Sequence, residues 1–211
     1  MTFCDIGNST FAFYNGHKSF KYSLDDSLEA LQKDEPIYYI SVNQKAEQKF
    51  NNYFQNTTNL KEYLPLKTNY SDTLGIDRVL GCIAFEDAII VDFGSAITLD
   101  IMKDSFHSGG FIMPGIKKLQ ALYPQISSKL AFEYNKDIDL STLPQNTNDA
   151  ISFAIDSMIV EPIKKVQEQY NLPLYITGED GEDFVQYFTN VQYNPTLLFD
   201  NMKLVIQRNN I

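Results

Sequence analysis

Phe3-Cys4-Asp5-Ile6-Gly7-Asn8-Ser9-Thr10-Phe11-Ala12-Phe13 and Ile90-Val91-Asp92-Phe93-Gly94-Ser95-Ala96-Ile97-Thr98-Leu99-Asp100 are two versions of one pattern. Each runs an apolar segment into Asp-x-Gly, adds small hydroxyl or amide residues, and leaves through a second alternating segment. That reads as strand, tight turn, strand. Self-similarity of this kind marks an internal duplication. The first copy continues through Asn15-Gly16, a dipeptide favoured in tight hairpins, set between Phe11-Ala12-Phe13-Tyr14 and Ser19-Phe20-Lys21-Tyr22. The second continues through Lys103-Asp104 and His107-Ser108-Gly109-Gly110 to Phe111-Ile112-Met113. Both halves therefore open as three-stranded meanders.

Working outward, the apolar spacing lengthens. Ala46, Phe50, Tyr53 and Phe54 share one helical face, as do Val79, Leu80, Ile83 and Ala84. Residues 36–42 are β-rich and apolar, which suits a buried strand. The second half alternates again, with helices expected near 116–130 and 148–168, a strand at 174–177, and short helices near 180–188 and 197–207. Asn148 is the expected cap of the long helix, and the polar stretch 133–147 reads as a loop. The fold class that accommodates this order is α/β. Two duplicated domains, 1–86 and 87–211, each pack helices on a mixed sheet, and their Asp-x-Gly turns are expected to face each other across a cleft.

Composition excludes several functions. Lys and Arg number 17 against 27 Asp and Glu, a formal charge of −10, and the pI is near 4.6. A chain so acidic lacks the dense basic surface that nucleic-acid phosphates require. With 44% hydrophobic and 13% aromatic residues it folds rather than remaining disordered. Cys4 and Cys82 sit in apolar runs and read as buried thiols. His17 and His107 lie 90 positions apart without a Cys or His at ligand spacing, which disfavours zinc; each reads as an ordinary polar residue on a hairpin. No run approaches the roughly 18 apolar residues of a membrane span, and no secretory leader pattern is visible, so the cytoplasm is the expected location.

The turns carry the chemistry. Glycine in Asp-x-Gly lets backbone approach a phosphate, the next residues add amide and hydroxyl donors, and the aspartate can hold hydrated magnesium. One such turn has an ordinary conformational explanation, whereas two at equivalent places in a duplicated chain suggest a nucleotide clamp. Gly75-Ile76-Asp77-Arg78 lies where an irregular segment enters a helix, so Asp77 serves either as a helix-end carboxylate or as a site residue. Gly109-Gly110-Phe111-Ile112-Met113-Pro114-Gly115 would likewise allow close backbone approach to a ligand.

Taken in order, these four segments resemble the type III pantothenate kinases along nearly the whole chain. The matching family patterns are Asp-x-Gly-Asn-Thr/Ser, Gly-x-Asp-Arg, Asp-x-Gly-Thr-Ala and Gly-Gly-x-Ile-x-Pro-Gly. The resemblance implies two actin-like (ribonuclease H-like) domains of the acetate and sugar kinase, heat-shock protein and actin superfamily. It also implies ATP-dependent phosphorylation of pantothenate, the first step of coenzyme A synthesis. Carried over by position, Asp5, Ile6, Gly7, Asn8, Ser9 and Thr10 form the first phosphate loop, with Asp5 holding magnesium through water. Ser95 is the second ATP contact. Asp77 is the catalytic base, and Tyr70, Gly75, Ile76, Asp77, Arg78 and Thr147 bind the substrate. Asp92 is the ligand of a monovalent cation, potassium or ammonium.

The chain departs from the family at Ser95, which stands for threonine, at Phe153, where glycine is usual, and at Glu179, which replaces the second glycine of Thr-Gly-Gly. The last bears on the pocket for the nucleotide base. The family resemblance further implies a homodimer, and the stripe Ala150, Ile151, Phe153, Ala154, Ile155, Met158, Ile159 and Ile163 is broad enough to face both its own sheet and a neighbour. Two rival readings stand beside the kinase: another kinase or polyphosphate hydrolase of the superfamily, and a non-catalytic regulator descended from it.

Overall fold

The computed structural model describes residues 1–29, 31 and 35–211. Two mixed five-stranded sheets with flanking helices make it an α/β protein. The chain divides into two compact units, one of Met1–Glu86, Ser105–Ser108 and Thr196–Ile211, the other of Asp87–Asp104 and Gly109–Pro195.

In the first unit β1 (Thr2–Ile6), β2 (Thr10–Tyr14), β3 (Ser19–Ser23), β4 (Ile37–Ser41) and β5 (Thr57–Asn59) are ordered β3-β2-β1-β4-β5. β1 runs antiparallel to β2 and parallel to β4. Side chains alternate across this sheet as the two-residue period requires. Cys4, Ile6, Phe11, Phe13, Ile37 and Tyr39 face Ala46 and Phe50 of α1 (Gln44–Tyr53), and Phe54 just beyond it. Phe3 and Ile40 face the other way, toward Leu80 of α2 (Ile76–Cys82). The rings of Phe11, Phe13, Phe50 and Phe54 pack within 4.9–6.3 Å of one another. Each is fully buried, and truncating one to alanine costs about 3–5 kcal/mol.

The second unit repeats the strand order. β6 (Ala88–Phe93), β7 (Ala96–Lys103), β8 (Phe106–Pro114), β9 (Leu174–Thr177) and β10 (Val191–Tyr193) lie in the order β10-β9-β6-β7-β8. Numbered by appearance, both sheets are third, second, first, fourth, fifth. β6 is antiparallel to β7 and parallel to β9, as β1 is to β2 and β4. Ile89, Val91, Phe93, Ile97 and Leu99 face Ile151, Ile155, Ile159 and Ile163 of α4 (Thr147–Tyr170), with Ile116 of α3 (Ile116–Ile126) in the same core.

Four features depart from the sequence reading. α5 (Leu197–Asn209) lies in the first unit, not in a domain 87–211, because Phe199, Met202, Val205 and Ile206 complete the core around Phe3, Ile40, Leu60 and Leu80. α3 stops at Ile126; Ser127 is extended and its side chain caps a short 3-10 turn at Ser128–Leu130. The helix expected near 180–188 is a 3-10 turn, Gly181–Tyr187. α4 is capped by Asn146, whose side chain accepts the Asp149 N–H at 2.9 Å, while Asn148 exchanges bonds with the backbone of Glu133.

Candidate functional site

In the first unit, the central strand β1 delivers Asp5 to the mouth of the Gly7-Asn8-Ser9 turn. The Gly7 N–H donates to the Thr10 carbonyl at 3.0 Å and closes the turn, and the Val42 N–H ties the Ile6 carbonyl to the end of β4 at 3.0 Å. Asn8 and Ser9 are exposed, Asp5 is half-buried, and Ile6 anchors the loop in the core. Asp5 belongs to the face of β1 that carries Phe3, the face covered by α2 and α5. Its charge also reaches Cys4, whose thiol is held well above its ordinary pKa by burial first and by Asp5 second.

The same unit brings together Tyr70, Gly75, Ile76, Asp77 and Arg78. Asp77 occupies the first turn of α2, where its carboxylate folds back so that Oδ1 accepts the Arg78 N–H at 2.8 Å. A Cβ on Gly75 would collide with that oxygen, so glycine is required for this carboxylate position. Arg78 is only 5% exposed. Its guanidinium carbon lies 5.1 Å from the centre of the Tyr70 ring, and Nη1 donates to the Tyr70 hydroxyl at 3.4 Å, a stacked cation–π arrangement. Tyr70 is itself partly exposed, which leaves one side of the pair open to solvent.

His107, read from the sequence as an ordinary hairpin residue, is buried behind this cluster. Its Nδ1 lies 2.9 Å from Thr68 Oγ1, which in turn accepts the Tyr70 N–H at 2.9 Å, and its ring centre is 5.8 Å from that of Tyr70. The His107 N–H donates to the Lys67 carbonyl at 2.9 Å. His107 and Thr68 thus fix the backbone from which Tyr70 projects. The pairing joins positions 39 apart in sequence, and no local signal announces it. His17, by contrast, is an exposed hairpin residue as expected.

In the second unit Asp92 is the last but one residue of β6, and Gly94 and Ser95 form the turn into β7. The Gly94 N–H donates to the Ala96 carbonyl at 3.1 Å, and the Gly115 N–H, at the start of α3, donates to the Ser95 carbonyl at 3.2 Å. Asp92 pairs in register with Thr98 of β7 and Thr177 of β9. Gly178 follows β9 with φ +89°, and a Cβ there would lie 2.5 Å from the Phe93 carbonyl oxygen and 2.6 Å from Asp92 Oδ1. Carboxylate and carbonyl oxygens therefore cluster at one glycine. This all-oxygen donor chemistry suits a hard cation. Ser95 and Glu179 are exposed. Thr147 is on a different element, as the exposed first residue of α4.

The loop 131–146 that precedes Thr147 is held by a buried polar cluster that the apolar pattern of α4 does not reveal. Asp156, only 1% exposed, accepts from the Tyr134 hydroxyl, and the single proton of the Tyr187 hydroxyl is shared between Asp156 at 3.1 Å and the Ile138 carbonyl at 3.0 Å. Burial pushes the Asp156 carboxyl above its ordinary pKa, against the lowering effect of its two hydroxyl donors. The Asn135 N–H donates to Ser152 Oγ at 3.0 Å and its side chain to Asp149 at 2.9 Å. Elsewhere, in the first unit, a cavity of about 480 Å³ is bounded by Thr2, Phe13, Phe20, Ile37 and Phe54, at the end of the sheet remote from the Gly7 turn, and shares no residue with the candidate site.

Residues 27–169 match the family model for type III pantothenate kinase. A protein named type III pantothenate kinase from Campylobacter jejuni subsp. jejuni serotype O:2 is 40% identical over 209 residues, covering 99% of this chain and 98% of its own. Those of Helicobacter hepaticus and Sulfurimonas denitrificans are 39% and 33% identical, with coverage of 99–100% on both sides. A crystal structure from Campylobacter jejuni, described as a Baf family transcriptional activator, superposes with a TM-score of 0.85 at 38% identity, covering 100% of this chain and 99% of that one. A structure from Sinorhizobium meliloti, described as a 2-dehydro-3-deoxygalactonokinase, has a TM-score of 0.61 at 8% identity, covering 99% and 98%; it shares the fold.

Proposed function

The chain belongs to the type III pantothenate kinase family, and on that premise we propose that it transfers the γ-phosphoryl group of ATP to the primary hydroxyl of pantothenate. The product is 4'-phosphopantothenate, the first intermediate of coenzyme A synthesis. The observation that carries this reading is the cluster in the first unit, where the Asp77 carboxylate is fixed beside a buried, Tyr70-stacked Arg78.

Phosphoryl transfer asks a protein mainly to position reactants and to neutralise charge on the transferring oxygens. Asp77, its Oδ1 already held by the Arg78 N–H, orients the attacking hydroxyl and takes its proton late, as the new O–P bond forms and the bond to the bridging oxygen of ADP breaks. Arg78 receives the pantothenate carboxylate. Burial under Tyr70 keeps the guanidinium plane fixed, so its local fork of donors outweighs the screened field of a chain with charge −10. Gly75 and Ile76 shape the same site, and Thr147 is assigned a second substrate contact.

The Ile6, Gly7, Asn8, Ser9 and Thr10 turn is assigned to the ATP phosphates, with Asp5 as the carboxylate for magnesium and Ser95 as a further ATP contact. Asp92 is assigned the monovalent cation, potassium or ammonium, and the oxygens of Asp92 and Phe93 crowding Gly178 support that fit. Both ions, when bound, offset phosphate charge. Among the described residues no helix is long and apolar enough to cross a membrane, in keeping with a cytoplasmic enzyme. A homodimer is supported by large apolar side chains standing in solvent on α3 and α4: Leu122, Ile126 and Met158 are 49%, 73% and 49% exposed.

A coupled ADP-release assay with and without pantothenate tests the reading. Release that requires pantothenate is expected. Release without it selects a hydrolase, and tight nucleotide binding without release selects a regulator. A nucleic-acid-binding role is disfavoured by the charge of −10.

A further inference from the structure

A seven-residue helix carries the proposed catalytic carboxylate, and the question is what holds it still. α2 has no side-chain cap at Gly75, and the residue that follows its last turn, Ile83, remains right-handed rather than forming a left-handed cap. Two turns of helix are marginal by themselves. The carbonyls at its end are nevertheless accounted for. Asn201, buried on α5, donates from Nδ2 to the Leu80 carbonyl at 2.8 Å and to the Gly81 carbonyl at 3.2 Å. The Cys82 carbonyl accepts the Phe85 N–H at 3.0 Å, and the Ile83 carbonyl accepts Arg208 Nη1, also from α5, at 3.2 Å. Leu80 packs in the same core as Phe199, Met202, Val205 and Ile206 of that helix.

We propose that Asn201 is a positioning residue for the phosphoryl transfer: through the carbonyls of Leu80 and Gly81 it fixes the axial position and rotation of α2, and with them Asp77 and Arg78. Leu80 and Gly81 each lie three residues after Asp77 and Arg78, so the clamp grips the helix within one turn, about 4.5 Å along its axis, of the residues it holds. α5 is then part of the machinery although none of its residues is assigned to a substrate. The inference rests on Asp77 being the base.

The test compares the parent, Asn201→Asp, Arg208→Gln, Asp77→Asn and the Asn201→Asp/Asp77→Asn double variant. Asn201→Asp keeps size but turns an oxygen toward two carbonyls; the Arg208 bond is at the surface, so Arg208→Gln folds even where the first variant does not. The expected result for Asn201→Asp is a fall of about 10- to 100-fold in kcat/KM for pantothenate, the range that small misplacement of a reacting group produces. Arg208→Gln is expected to give a smaller fall in the same parameter. Binding of a fluorescent ATP analogue stays at the parental affinity in both. In the Asp77→Asn background the Asn201 substitution adds no further loss of kcat, since the group it positions is gone. Parental kinetics in both single variants would overturn the inference, as would an equal loss of nucleotide affinity or a full additional loss of kcat in the double variant. Undiminished turnover in Asp77→Asn alone removes the base assignment, and the inference with it.

Discussion

Gly178→Ala is a sharp probe of the second unit because the molecule contains its own control. Gly178 and Gly16 have nearly the same φ, +89° and +88°, but a Cβ on Gly16 meets nothing within 4 Å among the described residues. Alanine at Gly16 therefore suffers only the left-handed conformation, about 1–2 kcal/mol. At Gly178 the added methyl must clear the Phe93 carbonyl oxygen at 2.5 Å, Asp92 Oδ1 at 2.6 Å and the Phe93 carbonyl carbon at 2.6 Å. Two of the three are backbone of the central strand, which cannot swing aside, so overpacking adds about 1–3 kcal/mol. The expected total is about 2–5 kcal/mol, against about 1–2 for Gly16→Ala. Urea unfolding at fixed pH reads the difference. Displacing Asp92 Oδ1 should also blunt the response of activity to potassium, which Gly16→Ala leaves intact. Equal destabilisation by the two substitutions, together with an unchanged potassium response in Gly178→Ala, would refute both the steric argument and the cation assignment.

The parent enzyme should depend on a monovalent cation, with sodium a poor substitute for potassium; full activity with only a bulky organic cation present would remove Asp92 from that role. Met158→Glu, on an exposed face of α4, should give a folded monomer with impaired pantothenate use, as read by sedimentation and kinetics, and a fully active parental monomer at micromolar concentration would contradict the dimer. Burial raises the Asp156 pKa above its unfolded value, so the stability it contributes is full below the ordinary carboxylate value near 4 and is lost as pH rises through the raised one. Unfolding of the parent and of Asp156→Asn between pH 4 and pH 8 should therefore show the parent losing ground to the variant as pH rises, and a pH-independent difference would contradict this.

The strands of both meanders were legible because one-sided burial imposes alternation and because Asn15-Gly16 has few structural uses besides a hairpin. β4 was legible as an apolar run, and α4 as a long helical stripe. The edge strands Thr57–Asn59 and Val191–Tyr193 were not, since three residues are too few to display a period. Of two asparagines flanking Thr147, local propensity cannot choose the cap; Asn146 takes it because Asn148 is engaged by Glu133, a contact 15 residues away. The placement of α5 in the first unit, the bond between His107 and Thr68, and the burial of Asp156 under two tyrosines all join residues distant in sequence. The Asp77, Arg78 and Gly75 constellation was readable because it is contiguous. That Tyr70 stacks on Arg78 became apparent only in three dimensions.

Phosphorus NMR of the reaction of ATP, magnesium and pantothenate with the parent and with Asp77→Asn reads both the product, 4'-phosphopantothenate, and the role proposed for Asp77 as the base. A new phosphomonoester resonance is expected, growing in step with ADP for the parent and about 100- to 10,000-fold more slowly for the variant. ADP accompanied by inorganic phosphate alone, or a phosphomonoester formed equally fast by both proteins, would contradict that expectation.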